Sequence, residues 1–353
     1  MGRSADWPTR ASLLAERLSR LPRADLGIWP TPLHRAPRLG AASGTQELYI
    51  KRDDLTTIGM GGNKVRPLEY LLGDAVRQGA DTIIAAGGLQ SNLCRLTAAG
   101  AAKLGRSCVL VHNDNRPSFL QGNLLLNYLA GADAHFAGPM DETARDHLCD
   151  DIAASIRARG GRPYVVRNGA SVPRGALGYV SAALELSQQD HAAGIGLADV
   201  AMVGAMGGTA AGFVLGSALL GVPFHTSVIS VEYPAAELRN RISSLAAGAL
   251  DLLAQVRGLG EPALCPAPLD ETMSIYDRYL GDGYAVETAS SRAALLAAAR
   301  LEGIFLEPVY TAKTLAGCLD LIARSEVDPA RPTCYWHTGG SAALFGLAAQ
   351  LQP

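Results

Sequence analysis

The sequence is poor in aromatic residues, in excess charge and in closely spaced cysteines, and the last two shortages each exclude classes of protein. Aromatic residues make up 6% of the 353 residues, and the net charge at pH 7 is −2. A chain without excess positive charge lacks the attraction that nucleic acids and anionic membrane surfaces exert, so we expect neither as a partner. A hydrophobic fraction of 48% predicts a globular protein with a large core and favours two domains over one.

The six cysteines are scattered, and no two are spaced as Cys-x-x-Cys. This spacing excludes a disulfide framework and a zinc site, so we expect no metal, and reduced, mostly buried thiols in a cytoplasmic protein. Residues 1–26 are polar, with five arginines and several acids, and they lack the apolar run of a signal peptide. No segment reaches the roughly 18 uninterrupted apolar residues of a membrane span.

Strand and helix patterns alternate along the chain, which predicts an α/β fold with a mostly parallel sheet and helices on both faces. Residues 258–268, rich in proline and glycine, predict a surface connection. Predicted strands cover residues 47–51, 81–86, 107–111, 134–136, 163–166, 199–203, 227–231 and 333–337. Predicted helices cover residues 68–77, 93–104, 122–129, 143–159, 176–188, 209–220, 240–256, 291–301 and a segment from 341.

One lysine follows a pair of glycines, in the tetrapeptide Gly61-Gly62-Asn63-Lys64. Glycine has no Cβ, so it permits unusual φ values and lets a ligand approach the backbone closely. A desolvated lysine beside such a ligand loses its proton and can form a Schiff base with an aldehyde. Lysines in loops are usually solvated, so this interpretation of Lys64 depends on the rest of the chain.

A glycine-rich loop, residues 204–209, joins a predicted strand to a predicted helix. Ligands bind at this end of the strands in open parallel sheets. Gly207, Gly208 and Thr209 would present free N–H groups and the positive end of a helix dipole, which suits a phosphate. The loop is neither a Walker loop nor a dinucleotide-binding fingerprint, and its glycines could also serve only a tight turn.

A second loop of this kind, residues 87–92, ends in Ser91 and Asn92. Asn92 can cap the following helix, and the N–H groups around it would face an anion such as a carboxylate. Ser91 considered alone is better explained as a capping residue. Beside an anion site and a reactive lysine, Ser91 becomes a candidate for substrate binding or catalysis.

The last predicted strand ends at His337 and is followed by Thr338. Thr338 could offer its hydroxyl group to a ring nitrogen at the strand end, whereas His337 could equally be structural. A lysine, a phosphate loop and a hydroxyl group for a ring nitrogen together describe a site for pyridoxal 5′-phosphate. No single motif establishes this cofactor, but their combination predicts it.

Residues 30–347 resemble the family of D-cysteine desulfhydrases and 1-aminocyclopropane-1-carboxylate deaminases. This family comprises fold type II pyridoxal phosphate enzymes of the tryptophan synthase β-subunit superfamily. The resemblance implies two open, mostly parallel twisted sheets with helices on both faces. The matching motifs are TPL (31–33), IKRDDL (50–55), GGNKVRPLEYL (61–71), LQSN (89–92), GALGYV (175–180), GGT (207–209), EPVYTAK (307–313) and HTGG (337–340).

The resemblance also implies domains, an oligomer and residue roles. A large cofactor-binding domain would comprise residues 1–60 and 172–353, and a small domain residues 61–171, with the active site between them in a homodimer. Lys64 would carry the cofactor, and Ser91, Tyr284 and Tyr310 would face the substrate. The other cofactor-binding residues would be Asn92 at the 3′-oxygen of the ring, Gly207, Gly208 and Thr209 at the phosphate, and Thr338 at the pyridine nitrogen.

Two threonines match the desulfhydrase branch of this family. In the deaminases a glutamate and a leucine occupy the positions of Thr311 and Thr338. A hydroxyl group cannot keep the pyridine nitrogen protonated as a carboxylate can, so the ring would be a weaker electron sink. This difference favours elimination of a good leaving group from Cβ over opening of a cyclopropane ring.

Three residues depart from the family pattern. Pro67 occupies a position where the family usually has a lysine. Proline is well suited to the first position of a helix, so we expect the helix to begin at Pro67 and Lys64 to lie in the preceding loop. Met206 replaces a serine at the start of the phosphate loop, and Leu93 replaces histidine or glutamine after Asn92. The changes at Met206 and Leu93 make the site more apolar and suggest a substrate other than plain D-cysteine.

The predicted function is a lyase that cleaves a Cβ–X bond of a small amino acid to give a 2-oxo acid and ammonia. Lys64, or a hydroxyl group nearby, would remove the Cα proton. Deamination of 1-aminocyclopropane-1-carboxylate and amino-acid racemisation are alternative reactions. A divergent protein that binds the cofactor or an amino acid without catalysis is an alternative of a different class.

Overall fold

The computed structural model describes residues 6–221 and 224–348. The predicted large domain and the polar N-terminal segment therefore extend outside the described residues at 1–5, 222–223 and 349–353.

The strands are β1 (Leu33–Arg35), β2 (Leu48–Arg52), β3 (Thr82–Ala86), β4 (Ser107–His112), β5 (Asp133–Phe136), β6 (Pro163–Val166), β7 (Asp199–Gly204), β8 (His225–Ser230), β9 (Met273–Tyr276) and β10 (Thr333–His337). The helices are α1 (Trp7–Ser19), α2 (Pro37–Ser43), α3 (Val65–Arg77), α4 (Asn92–Lys103), α5 (Gly122–Leu129), α6 (Glu142–Ala158), α7 (Pro173–Ala193), α8 (Gly208–Leu219), α9 (Ala235–Gln255), α10 (Leu269–Thr272), α11 (Ala289–Glu302), α12 (Thr311–Ala323) and α13 (Ser341–Gly346).

The strands form two sheets. One has the order β1-β2-β10-β7-β8-β9 and is parallel except for the β1–β2 pair, and the other has the order β5-β4-β3-β6 and is parallel throughout. The predicted α/β fold with two mostly parallel sheets is confirmed. All strands of the smaller sheet lie within the predicted small domain, although the domain boundaries themselves stay a prediction.

Parallel pairing brings the ends of successive strands to the same edge of each sheet. In the larger sheet, His337 at the end of β10 pairs with Arg52 of β2, and Gly204 of β7 pairs with Ser230 of β8. The loops that leave β2, β10, β7 and β8 therefore start side by side. Loops that are far apart in sequence therefore meet at this edge of the larger sheet. They include the loops of this sheet that the sequence predicts to bind a ligand.

A buried ion pair connects the end of β2 to the start of α3. Arg66 Nε lies 2.7 Å from Asp53 Oδ2, and Arg66 Nη2 lies 3.0 Å from Glu185 Oε1 on α7. Burial alone would raise the pKa of Asp53, but the charge and hydrogen bonds of Arg66 outweigh it and lower this pKa to about 2. The network holds the backbone on both sides of the Lys64 loop.

Helix α3 begins at Val65, so the expectation that it begins at Pro67 is wrong. Pro67 is the third helical residue, where its missing N–H group would have had no partner within the helix. Lys64 is the N-cap residue and lies at the end of the loop, as expected. Helix α9 begins at Ala235, five residues before the predicted start at 240.

The N-terminal helix α1 has no counterpart in the sequence prediction. Its buried residues Trp7, Ala11, Leu14 and Leu18 recur every three or four positions. The indole Nε1 of Trp7 donates a 2.5 Å hydrogen bond to Ser187 Oγ on α7. The spacing of these apolar residues is the sequence signal for an amphipathic helix. The polar composition of the whole segment obscures that signal.

Candidate active site

The loops at the carboxyl edges of both sheets enclose a cavity of about 480 Å³. The larger sheet contributes Lys64, Glu232 and Thr338, and the smaller sheet contributes Ser91 and Asn113. All nine residues predicted for the site line this cavity, namely Lys64, Ser91, Asn92, Gly207, Gly208, Thr209, Tyr284, Tyr310 and Thr338. The structure brings them together, while their individual roles stay predictions.

The conformation of the Lys64 loop requires its glycines. Gly61 has a φ of +70° and Gly62 a φ of +127°, and a Cβ at Gly61 would clash with the carbonyl oxygen of Asp54. Lys64 Nζ donates a 2.7 Å hydrogen bond to the carbonyl oxygen of Gly169. Burial of the amine lowers the pKa of Lys64 to about 8, against the charge of Glu232, which raises it. A substantial fraction of this amine is neutral near pH 8.

Lys64 is the one lysine among the chain's four that lines the cavity, and all four are described. Lys51 forms a buried ion pair with Glu185. Lys103 Nζ donates to the carbonyl oxygen of Leu26 at 3.2 Å, and Lys313 Nζ donates to that of Leu280 at 2.7 Å. A Schiff base inside the cavity therefore has a single candidate residue.

The loop before α8 forms an anion site. Gly207 has a φ of +90°, and α8 begins at the next residue, so the N–H groups of its first turn have no partner within the helix. A Cβ on Gly208 would lie 2.8 Å from Ser171 Oγ, so only glycine fits there. Backbone this close to the cavity, with free N–H groups, fits the phosphate of pyridoxal phosphate.

Ser91, and not Asn92, caps helix α4. Ser91 has an extended conformation, and its Oγ accepts a 3.2 Å hydrogen bond from the N–H group of Cys94. The expectation that Asn92 is the cap is wrong, because Asn92 is already the first helical residue. Asn92 Oδ1 instead accepts a 3.0 Å hydrogen bond from Asn123 Nδ2, which fixes the amide at the cavity wall.

Two tyrosines that line the cavity contact each other. Tyr310 is the N-cap residue of α12, and its hydroxyl group is hydrogen bonded to that of Tyr284. Burial raises the pKa of Tyr284 to about 12, and it also raises the pKa of Tyr310 well above the ordinary value of a phenol. Glu307 accepts 2.8 Å hydrogen bonds from the N–H groups of Val309 and Tyr310, which fixes this loop. Both phenols therefore stay protonated near neutral pH.

Thr338 is 7% exposed and directly follows β10. Its carbonyl oxygen accepts a 2.8 Å hydrogen bond from the N–H group of Asn63. His337 is buried between two backbone groups, with Nε2 3.2 Å from the Phe305 carbonyl oxygen and Nδ1 accepting from the Gly339 N–H group. His337 does not line the cavity, which favours the structural alternative for it.

Sequence reasoning missed several cavity residues. Glu232 follows the end of β8 by two residues, and Asn113 directly follows β4, so the rule for strand ends could have found both. Burial raises the pKa of Glu232, whose charge acts on Lys64. Glu142 and Arg145, at the start of α6, also line the cavity. No motif in the sequence marks either of them.

Two of the family departures lie at the cavity itself. Met206 lines it, and its sulfur accepts a 3.3 Å hydrogen bond from the Tyr233 hydroxyl group. Leu93 is 3% exposed and belongs to the core under the smaller sheet as well as to the cavity wall. Both side chains give the wall an apolar surface, as the sequence predicts.

Within residues 6–221 and 224–348, no group of three or more histidine, cysteine, aspartate or glutamate residues could hold a metal ion. In the same part of the chain no helix is long and apolar enough to cross a membrane. The six cysteines are free, and five of them are buried, with Cys265 exposed.

A desolvated lysine and an anion-binding helix terminus that line one cavity between two mostly parallel sheets are typical of an enzyme with an anionic aldehyde cofactor. The chain belongs to the family of pyridoxal-phosphate dependent enzymes, whose model matches residues 24–339. The predicted cofactor and family are thereby confirmed.

Curated relatives and solved structures are similar to the chain over most of its length. The chain is 40% identical over 333 residues to the D-cysteine desulfhydrase of Salmonella choleraesuis (strain SC-B67), a match that covers 93% of this chain and 97% of the relative. A crystal structure of an ACC deaminase homologue superposes with a TM-score of 0.84 and 31% identity, covering 96% and 98% of the two chains. Threonine deaminase isoform 2 from Solanum lycopersicum shares the fold, with a TM-score of 0.65 and 16% identity over 96% of this chain and 86% of that one.

Proposed function

We propose that this enzyme is a lyase that removes a β-substituent from a small amino acid and releases a 2-oxo acid and ammonia. The observation that carries the proposal is the position of Lys64, the one cavity lysine, with its pKa lowered to about 8. Similarity to a D-cysteine desulfhydrase over 93% of the chain supports cleavage of a carbon–sulfur bond or a related Cβ–X bond.

The residues of the cavity fit the cofactor. Lys64 would hold its aldehyde carbon, the N–H groups that begin α8 would hold its phosphate, and Thr338 would lie at its ring nitrogen. When bound, pyridoxal phosphate supplies an electron-withdrawing ring that stabilises negative charge at the α-carbon of an amino acid.

Lys64 acts as the base in this proposal. A pKa of about 8 leaves part of the amine neutral near neutral pH, so Nζ can accept the Cα proton. The N-terminus of α4, with Ser91 as its cap, binds the substrate carboxylate through backbone N–H groups. That contact orients the Cα–H bond toward Lys64.

The tyrosine pair serves the leaving group. Tyr310 and Tyr284 share a hydrogen bond and stay protonated, so one of them can donate a proton as the Cβ–X bond breaks. The apolar walls formed by Met206 and Leu93 exclude water from the reacting atoms.

Deamination of 1-aminocyclopropane-1-carboxylate is the second candidate, because the ACC deaminase homologue superposes over 96% of the chain. The hydroxyl group of Thr338, in place of a carboxylate at the ring nitrogen, favours elimination over this reaction. Racemisation would differ from both by releasing no ammonia.

We also propose that the protein is a cytoplasmic homodimer, and sedimentation would test its oligomeric state.

The function is tested by measuring ammonia and 2-oxo acid release from a panel of D- and L-amino acids with β leaving groups. 1-Aminocyclopropane-1-carboxylate is included, and its product would be 2-oxobutanoate. Elimination from at least one β-substituted substrate is expected. Lys64→Ala should lose the visible cofactor absorbance and the turnover, whereas Lys103→Ala, far from the cavity, should retain both. Normal turnover by Lys64→Ala would overturn the assignment.

A further inference from the structure

Arg145 is a second cation of the cavity, and the proposed mechanism leaves it unused. It lies in the first turn of α6 and is 7% exposed. Its Nη1 is 3.5 Å from Asn113 Oδ1, while Nε and Nη2 are buried and have no hydrogen-bond partner among the described residues. A guanidinium group buried in this way is costly unless an acceptor binds it, because it stays charged.

No carboxylate within the described residues forms an ion pair with Arg145, although acids surround it on its own helix. Asp150 Oδ1 lies 2.8 Å and Asp146 Oδ2 lies 3.9 Å from the guanidinium group of Arg167. Asp146 and Asp150 are therefore paired with a different arginine.

The other anion sites of the cavity are formed by other elements. The phosphate is assigned to the start of α8 and the substrate carboxylate to the start of α4, whereas Arg145 lies on α6. Burial raises the pKa of Tyr284 to about 12, and the charge of Arg145 is among the influences that oppose this rise. Arg145 thus acts on the tyrosine pair proposed to face the leaving group.

We propose that Arg145 binds an oxyanion on the β-substituent of the substrate and so selects amino acids whose leaving group is a sulfonate, sulfate or phosphate. A guanidinium group binds two oxygens of such a group at once, which a lysine cannot do. This inference rests on the proposed elimination reaction and names its substrate class.

The reaction balances without a further reagent. Lys64 takes the Cα proton, and the Cβ–X bond breaks with both of its electrons leaving on X as sulfite, sulfate or phosphate. The remaining three-carbon enamine takes up a proton at Cβ, and water then replaces the nitrogen. The products are pyruvate, ammonia and the inorganic oxyanion.

The test compares cysteic acid and O-phosphoserine with β-chloroalanine, whose substituent is uncharged, each as both enantiomers. Substituting Arg145→Gln should lower kcat/KM for the oxyanion substrates by about 100-fold, the effect of one or two charge-assisted hydrogen bonds. For β-chloroalanine, kcat/KM should change by less than about threefold, because its uncharged substituent does not need a charge-assisted hydrogen bond from Arg145. Arg157→Gln, in the last turn of the same helix, is the matched control.

The readouts separate this inference from the proposed function. If no panel member releases ammonia, the elimination reaction itself fails. If β-chloroalanine reacts but neither oxyanion substrate does, or if Arg145→Gln slows all substrates equally, the role of Arg145 is wrong and the lyase stands. If Arg145→Gln does not fold, Arg145→Lys replaces it in the test. The lysine variant should retain the positive charge but lose most of the preference for oxyanion substrates. Retained preference would overturn the proposal.

Discussion

The side-chain amide of Asn63 donates a 3.2 Å hydrogen bond to Thr209 Oγ1. Asn63 precedes Lys64, and Thr209 lies in the first turn of α8, so this bond joins the lysine loop to the proposed phosphate loop. The backbone N–H group of Asn63 also donates to Thr338 at 2.8 Å. One residue therefore sets the spacing between three parts of the cofactor site.

Substituting Asn63→Ala should weaken cofactor binding by roughly fivefold, the effect of losing one hydrogen bond worth about 1 kcal/mol. Titration of the apoenzyme with pyridoxal phosphate, followed by absorbance, measures the change in Kd. Asn240→Ala, exposed on α9, is the control and should bind like the unmodified protein. Equal affinity in both variants would mean that the bond does not position the phosphate loop.

Substitutions at Ser91 separate its cap from its proposed contact with substrate. Ser91→Ala should lower the free energy of unfolding by about 1 kcal/mol, because the N–H group of Cys94 loses its acceptor. Ser91→Asn can still cap the helix and should restore stability, yet it should remain impaired in kcat/KM. Urea unfolding and steady-state kinetics measure the two effects. Full activity in the asparagine variant would reduce Ser91 to a capping residue.

Tyr310→Phe should lower kcat by roughly 100-fold or more, because the proposed proton donor to the leaving group is lost. The cofactor absorbance should stay, since the phenol is not needed to hold the cofactor. Tyr279→Phe is the matched control, because its hydroxyl group donates to Asp320 at 2.7 Å and does not line the cavity. A small effect at Tyr310 would direct attention to Tyr284 as the donor.

Asp199 makes the stability of the protein depend on pH. Burial raises its pKa from 3.8 to about 7, against the hydrogen bond from Ser227, and its Oδ1 has no hydrogen-bond partner in the part of the chain that the structure describes. The pKa of Asp199 is higher in the folded protein than in the unfolded chain, so ionisation of Asp199 destabilises the folded protein. This destabilisation is absent below pH 3.8, grows between pH 3.8 and about pH 7, and is complete above about pH 7.

Substituting Asp199→Asn removes this dependence. From about pH 4 to pH 8, the stability of the asparagine variant relative to the unmodified protein should rise by a few kcal/mol. Urea unfolding at both pH values measures the difference. A gap that is the same at both pH values would mean that Asp199 titrates normally.

Local sequence rules predicted much of the fold and the site. The strand at Thr333–His337 and the helix at Gly122–Leu129 have the predicted bounds, because a short apolar run or an apolar period ends at clear turn residues. The assignment of the cap to Asn92 failed because Ser and Asn are both good caps, and only the backbone conformation at Ser91 decides between them.

The residues missed by sequence reasoning share a physical cause. Arg145 lies on a helix whose pattern shows which face is apolar but not which cavity that face borders. Helix α1 is held by contacts with α7, more than 150 residues away in sequence. Such contacts depend on how sheets and helices pack, and no local spacing records them.

The sequence alone determined the alternation of strands and helices, the glycines that permit positive φ beside Lys64, and the loops that carry Thr209, Ser91 and Thr338. These features follow from backbone sterics and apolar period, which act over a few residues. Only the tertiary structure decided that Lys64 has a pKa of about 8 and that Arg145 enters the same cavity. Desolvation and charge are set by the groups that surround an atom, and here those groups come from both sheets.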